Sequence, residues 1–331
     1  MTEHTQPIIL VDSFAQIFRC YYAVRSLSNK NGDPTNAIFG MMRFLLKLEE
    51  MFPGAKGAFV FDKGKPPHRL KLSPDYKANR PPTPEDLLAQ IPHLRHMIRA
   101  FGWNIVEADN TEADDLIASI ALHFEQDPVR IISADKDISQ IINSRIEMLV
   151  PDQAGKGFAK RGIAEAQEKF GVAPEAIIDY LAMIGDSADN IPGIAGVGPK
   201  TAAQLLNRFG SIANMLEHAH EIERETLRTK IVEGSGILLK NIELVRLVTD
   251  PPEGVSWSDA TIVRNPVDMT QIRAIAEING FRSMQKDIDK LADAIGRNTD
   301  SLFATPSPET DPETENTPPG KEKEWEQPSL F

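Results

Sequence analysis

Cysteine is nearly missing: Cys20 is the single one in 331 residues. That excludes an internal disulfide framework, a cysteine-based zinc finger and an iron–sulfur cluster. Seven histidines are scattered through the chain and lack cysteine partners for a zinc site. Long apolar runs are absent too; none reaches the ~18 residues of a membrane-spanning helix. The N-terminus lacks the basic region, apolar stretch and small-residue cleavage site of a secretory signal. A reducing cytoplasm is therefore the expected compartment, with no membrane contact. No internal repeat is present. Basic charge is also short: 36 Lys and Arg stand against 48 Asp and Glu, a net charge of −12. Taken whole, that balance argues against a polyanionic partner.

What is present is a chain 41% apolar, long enough for a substantial core and about two domains. Its charge is unevenly spread. Residues 301–331 carry a net −5, and 304–320 are mostly Thr, Pro, Ser, Glu and Asp. Such a tail cannot bury enough apolar surface to offset its ordering entropy, so 296–331 is expected to be a disordered acidic tail. The opposite bias runs from Lys63 to Arg99, a +5 segment inside an acidic protein.

Short apolar runs at Ile8–Val11, Ala58–Phe61 and Val129–Ile132 read as buried strands. Ile105–Glu107 and Met148–Val150 are two more. Helical patterns at Ala37–Glu50 and Ala113–Phe124 separate them. Strands alternating with amphipathic helices predict an α/β fold with a mostly parallel sheet. From about residue 160 the strand signal fades. Pro174–Ile184, Lys200–Phe209, Arg224–Ile231 and Gly236–Leu247 read as helices, giving an α/β region over 1–160 and a helical region over 161–295.

Nine acids stand out by position: Asp12, Asp62, Glu112, Asp114, Asp115, Asp135, Asp137, Asp186 and Asp189. Several follow strands, at the sheet edge where ligands gather in such folds. Each alone reads equally as a helix cap or turn residue. Together they would crowd like charges, which divalent cations resolve. An all-oxygen donor set favours two or more Mg²⁺ or Mn²⁺ ions over zinc. Two such ions are a device for phosphodiester hydrolysis.

The stretch Ile191-Pro-Gly-Ile-Ala-Gly-Val-Gly-Pro-Lys200 is neither a dinucleotide fingerprint nor a P-loop. Its glycine order is reversed for the former, Pro199 interrupts the latter, and no strand precedes it. Helix, Gly-x-Gly, Pro, Lys and a further helix form the pattern of a helix-hairpin-helix. Gly193, Gly196, Val197, Gly198, Lys200 and Thr201 are its candidate phosphate-contacting residues. The other reading is a glycine-rich connector between packed helices.

In order and spacing, these motifs resemble the bacterial 5′ nuclease superfamily: flap endonucleases and 5′→3′ exonucleases, including the N-terminal domain of DNA polymerase I. The likeness rests on Val-Asp12-Ser, Phe-Asp62, Tyr-Lys-Ala-Asn-Arg (76–80), Pro-Thr-Pro-Glu-Asp (82–86), Glu-Ala-Asp-Asp (112–115), Ala-Asp-Lys-Asp (134–137), Gly-Asp-Ser-Ala-Asp-Asn (185–190) and the hairpin. It covers about residues 7–290. It implies a PIN-like, Rossmann-like sheet flanked by helices, with a helical arch over about 70–100 through which a 5′ single strand threads. It implies one ion held by Asp12, Asp62, Glu112 and Asp114, and a second by Asp135, Asp137, Asp186 and Asp189, with Asp115 between or behind them. Lys77 and Arg80 match the family's catalytic basic pair, with Tyr76 beside them among the DNA contacts. Lys63, Arg69 and Lys71 are expected as surface or phosphate-contacting bases. Tyr22 either stacks on a base beside the scissile phosphate or packs in the core. The hairpin would grip duplex DNA and hold a K⁺ ion through its carbonyls.

The final residues, Gln327-Pro-Ser-Leu-Phe331, resemble the sliding-clamp-binding pentapeptide, with Pro328 in place of its first leucine. Gln327, Leu330 and Phe331 are its candidate anchors. No polymerase sequence accompanies the nuclease motifs, so a free-standing monomer is expected. The expected activity is cleavage of 5′ flaps, 5′ ends and RNA primers in DNA replication and repair. Two alternatives remain at this point: a PIN-like ribonuclease, and a non-catalytic clamp-tethered binder of DNA junctions. The charge of −12 no longer argues against DNA. Without its tail and the nine acids the chain is net +2.

Overall fold

Five strands run parallel: Ile8–Asp12 (β1), Gly57–Val60 (β2), Asn104–Val106 (β3), Val129–Ile132 (β4) and Ile146–Pro151 (β5). Phe158–Arg161 (β6) closes the sheet antiparallel to β5, giving the order β3-β2-β1-β4-β5-β6. The computed structural model describes residues 6–24, 26–151 and 157–303. The proposed clamp peptide and the tail from 304 onward lie outside them. All five strands read from sequence are present. β6 was not expected, because Phe-Ala-Lys-Arg is short and half exposed. Pairing at an edge, not apolar alternation, makes it a strand.

The apolar runs are continuous because β1 is buried on both faces. Ile8 and Leu10 join one core with Val129, Ile131 and Met148. Ile9 and Val11 join the other with Phe59, Phe61 and Ile132. On this second face lie Ser13–Ala23 (α1) and Asn36–Met51 (α2). Pro67–Leu72 (α3) precedes a run of turns, and Glu85–Ala100 (α4) follows. α4 buries Leu87, Leu94, Met97 and Ile98 in the same core as α2. Within the +5 segment, then, α4 is a packed helix, and the stretch between α3 and α4 outside regular helices is 73–84.

Ala113–His123 (α5) covers the first face. Its core continues without a break into Ile163–Phe170 (α6), Ile177–Ile184 (α7), Pro199–Phe209 (α8), Ile212–Glu217 (α9), Glu225–Glu233 (α10) and Ser235–Val245 (α11). Residues up to Ala292 form one compact unit, which includes Asp259–Ile262 (α12) and Met269–Ile278 (α13). The change near residue 160 is thus one of secondary structure within a shared core. A last helix, Gln285–Phe303 (α14), extends past the expected start of the tail at 296. No helix among the described residues is long and apolar enough to cross a membrane.

One buried ion pair ties the C-terminal segment back to the sheet. Arg264 donates to Glu49 at 2.5 and 3.1 Å and lies 4.0 Å over the Trp103 ring, whose indole N–H also meets Glu49 at 2.9 Å.

Candidate active site

Because β1, β2 and β4 are parallel neighbours, their carboxyl ends deliver acids to one edge. Asp12 ends β1 and caps α1, accepting from Ala15 N–H at 3.2 Å and from Ser133 Oγ at 2.8 Å. Asp62 follows β2 and accepts from Ala113 N–H at 3.2 Å, so it fixes the start of α5. Glu112, Asp114 and Asp115 sit at that helix start. Asp135 and Asp137 follow β4. Asp186 and Asp189 come from a separate element, the two-stranded turn of Gly185–Asp186 (β7) and Ile191–Pro192 (β8) after α7.

The structure draws Glu112, Asp114 and Asp115 into one group, with ligand oxygens within 4.8 Å of one another, and Asp137, Asp186 and Asp189 into a second. Electrostatics links the rest. Burial, then the Asp62 and Asp135 charges, push Asp12 up to about 7. Burial raises Asp62 also, with Glu112 adding to it. Asp114 lies well above the usual carboxylate range through burial and the charges of Asp115 and Glu112. Burial, then Asp135, carry Asp137 to about 8. Glu112 goes the other way: burial opposes its charge, but Lys77 and Arg69 outweigh burial and lower it.

Over the acids lies the turn at 73–80. Lys77 Nζ contacts Glu112 and stands 3.7 Å from Asp189 Oδ2. Arg80 reaches Asp189 Oδ1 at 2.5 Å. Tyr76 O–H donates toward Glu112 at 3.2 Å and toward Asp189 at 3.4 Å. Lys77 adopts φ +53°, a costly conformation for a residue with a side chain. Its N–H donates to the Asp189 carbonyl at 3.0 Å, which holds it there. Asn190, at φ +59°, donates to the Asp75 carbonyl at 3.0 Å, and Asn79 donates to the Ser187 carbonyl at 3.3 Å. These bonds dock the basic turn on the acidic turn.

Several expectations need correction. Tyr76 is 3% exposed and bridges the two acid groups, so it positions them and does not face DNA. Arg69 is no surface base: at 1% exposure it clamps Asp115 with two bonds of 2.7 and 2.8 Å, contacts Glu112, and donates to the carbonyls of Leu244 and Arg246. Asp115 also accepts from Val248 N–H at 2.8 Å. Its oxygens are thus engaged in joining α5 to the chain after α11. Val197 is buried and its N–H donates to Ile194 O, so it packs the hairpin from inside. Gly193 serves close packing: a Cβ there would sit 2.3 Å from the Ile184 carbonyl oxygen.

The outer hairpin residues lie at the surface. Gly196 (φ +87°), Gly198 and Lys200 are exposed, and Thr201 is half-buried at the start of α8. Tyr22, left between stacking and core, is 68% exposed and lies against Phe18 at 6.3 Å with rings nearly parallel. Core packing is ruled out for it. Sequence reasoning missed two cations. Arg69 leaves no readable signal. Lys136, between Asp135 and Asp137, is given no role by the sequence reading, yet its Nζ meets Asp186 Oδ2 at 3.0 Å.

The donor set fits hard divalent cations. Asp137 Oδ1 is buried and, among the described residues, has no hydrogen-bond partner. A buried carboxylate oxygen without a donor is a place that a bound cation can satisfy. Oxygen-only donors from two neighbouring groups suit Mg²⁺ or Mn²⁺.

Comparison with known proteins gives a consistent picture. The family model for the 5′-3′ exonuclease N-terminal resolvase-like domain matches residues 7–171. That for the 5′-3′ exonuclease C-terminal SAM fold matches 172–269. A 5′-3′ exonuclease of Aquifex aeolicus is 35% identical over 286 residues, 86% of this chain and 96% of that protein. DNA polymerase I of Bacillus subtilis is 34% identical over 294 residues, but the match spans only 32% of its length. Among solved structures, a bacteriophage T5 flap endonuclease complex with DNA and metal ions aligns with TM-score 0.62 and 18% identity, over 88% of this chain and 99% of that one. The catalytic core of Rad2 with DNA substrate aligns with TM-score 0.60 and 19% identity, over 88% and 93%. At such identities the structural likeness is one of fold.

Proposed function

This chain belongs to the 5′-3′ exonuclease family, and on that premise we propose that it is a divalent-metal-dependent, structure-specific 5′ nuclease. It hydrolyses phosphodiesters of 5′ flaps, 5′ ends and RNA primers in DNA replication and repair. The observation that carries this reading is the pair of carboxylate groups spanned by Tyr76, Lys77 and Arg80. Asp12, Asp62, Glu112 and Asp114 would hold one Mg²⁺ or Mn²⁺, and Asp135, Asp137, Asp186 and Asp189 another. Asp115, taken up by Arg69 and Val248, orients the first set. Ions held there would supply an acidified water and charge stabilisation for the attacking and leaving oxygens.

The chain's own cations complete the chemistry. Burial disfavours the Lys77 ammonium, yet Glu112, Asp114 and Asp189 hold its pKa above the ordinary lysine value, so it stays charged. Lys77 and Arg80 can therefore offer N–H groups to a phosphate oxygen as its charge grows. Tyr22 offers an exposed ring for stacking on a base. Gly196, Gly198, Lys200 and Thr201 offer the hairpin and the α8 N-terminus to a duplex phosphate, without reading sequence. A K⁺ ion held by hairpin carbonyls belongs to the same reading. So do a monomeric state and the cytoplasm.

Cut-site mapping tests this on a double-flap DNA with Mg²⁺, beside single-stranded RNA of the same sequence. Cleavage near the flap base is expected, and Tyr22→Ala should blur the cut position. Faster cleavage of the RNA would favour a PIN-like ribonuclease instead. Binding of the flap without Mg²⁺-dependent cleavage would mark a junction binder.

Gln327-Pro-Ser-Leu-Phe331 is proposed to tether the enzyme to the sliding clamp, as a short peptide with apolar anchors fits a pocket. Deleting 327–331 should abolish clamp pull-down and leave cleavage of free flaps intact. Unchanged pull-down would refute the tether.

A further inference from the structure

Lys136 lies inside the second carboxylate group without being one of its donors. Its Nζ stands 3.0 Å from Asp186 Oδ2, with the lysine side chain 30% exposed and the aspartate 17%. The other Asp186 oxygen accepts from Ala188 N–H at 2.8 Å. A divalent ion approaching Asp186 Oδ2 would therefore meet the ammonium already there. The neighbouring acids have cations of different standing. Asp189 is met by Arg80 at 2.5 Å, through a residue of the docked basic turn. Lys77 is buried between Glu112 and Asp189. Lys136 is on the acid-bearing loop itself, and its partial exposure leaves the side chain a route to solvent.

Three carboxylates within 4.8 Å of one another repel strongly when none is neutralised. A resident ammonium lowers that repulsion in the metal-free protein. The same ammonium opposes a second cation at the site, by holding one donor and by like charge.

We propose that Lys136 is an internal counter-cation of the Asp137–Asp186–Asp189 group, exchanged for a divalent ion, and that it thereby sets how weakly this group takes metal. This rests on the reading of these acids as a metal site. It makes Lys136 a positioning residue, with an effect visible before any substrate is added.

The test is Mn²⁺ binding to the metal-stripped full chain without DNA, by titration calorimetry, with melting in EDTA alongside. Lys136→Met should bind Mn²⁺ about fivefold more tightly, the size expected for release from one part-exposed ion pair. It should also melt lower than wild type in EDTA, because Asp186 loses its partner. Lys136→Arg keeps the charge and should titrate like wild type. Lys136→Gln serves if the methionine variant misfolds. Equal or weaker Mn²⁺ binding by a folded Lys136→Met or Lys136→Gln overturns the proposal and leaves the metal site standing. No saturable Mn²⁺ binding by the wild type overturns both.

Discussion

Asp137→Asn should lower Mg²⁺-dependent flap cleavage on the order of 10³-fold, since ion-held charge is worth several kcal/mol in the transition state. Asp137 combines two features: a buried oxygen without a partner among the described residues, and a pKa pushed to about 8 by burial and Asp135. The second fixes the sign of a further effect. An acid whose folded pKa exceeds its unfolded value costs stability once pH rises above the unfolded value. Asparagine removes that cost. The metal-stripped variant should therefore melt higher than wild type near neutral pH, by about 2–4 °C for each kcal/mol relieved. Stabilisation by added Mg²⁺ should shrink at the same time. Calorimetric melts with EDTA and with Mg²⁺ check both signs. A variant that melts lower in EDTA and still cleaves would make Asp137 a structural residue.

Lys77→Ala should reduce turnover by about 10²–10³-fold, the usual loss when one preorganised donor to a developing charge is removed. Flap affinity should change little, because the proposed grip on the duplex lies elsewhere, at the hairpin. Single-turnover rates and direct DNA binding separate the two quantities. The geometry adds a constraint on interpretation. Lys77 also neutralises Glu112 and lies 3.7 Å from Asp189, so its loss leaves those acids less compensated. Lys77→Arg, which keeps the charge, should recover part of the rate. Lost binding with turnover preserved would reassign Lys77 to docking the DNA.

Much of the site was readable because its residues are tied to local signals. An aspartate closing or shortly following a short apolar run is an edge position in a parallel sheet, and Asp12, Asp62 and Asp135 show it. Helix-start acids such as Glu112 and Asp114 carry a similar mark. The hairpin was readable from glycine spacing, although its inner members proved to be packing residues. Gly193 and Val197 turn inward because the turn lies directly against the end of α7. The basic turn was legible as charge but not as contact. Tyr76 looks like an exposed aromatic beside two bases, whereas folding over the acids buries it.

Arg69 marks the limit. Its neighbours in sequence are those of an ordinary basic helix, and its partners are Glu112, Asp115, Leu244 and Arg246, 43 to 177 residues away. Nothing local encodes such a meeting. Residue order and apolar periodicity by themselves determined the five parallel strands, several of the helices and which acids stand at strand ends, because the patterns that mark an element repeat over a few residues. Only the tertiary structure decided which charges neutralise which. Ion pairing depends on distances across the fold, so Arg69, Lys77, Arg80 and Lys136 acquired their separate roles when the sheet edge, the basic turn and the helical region came together.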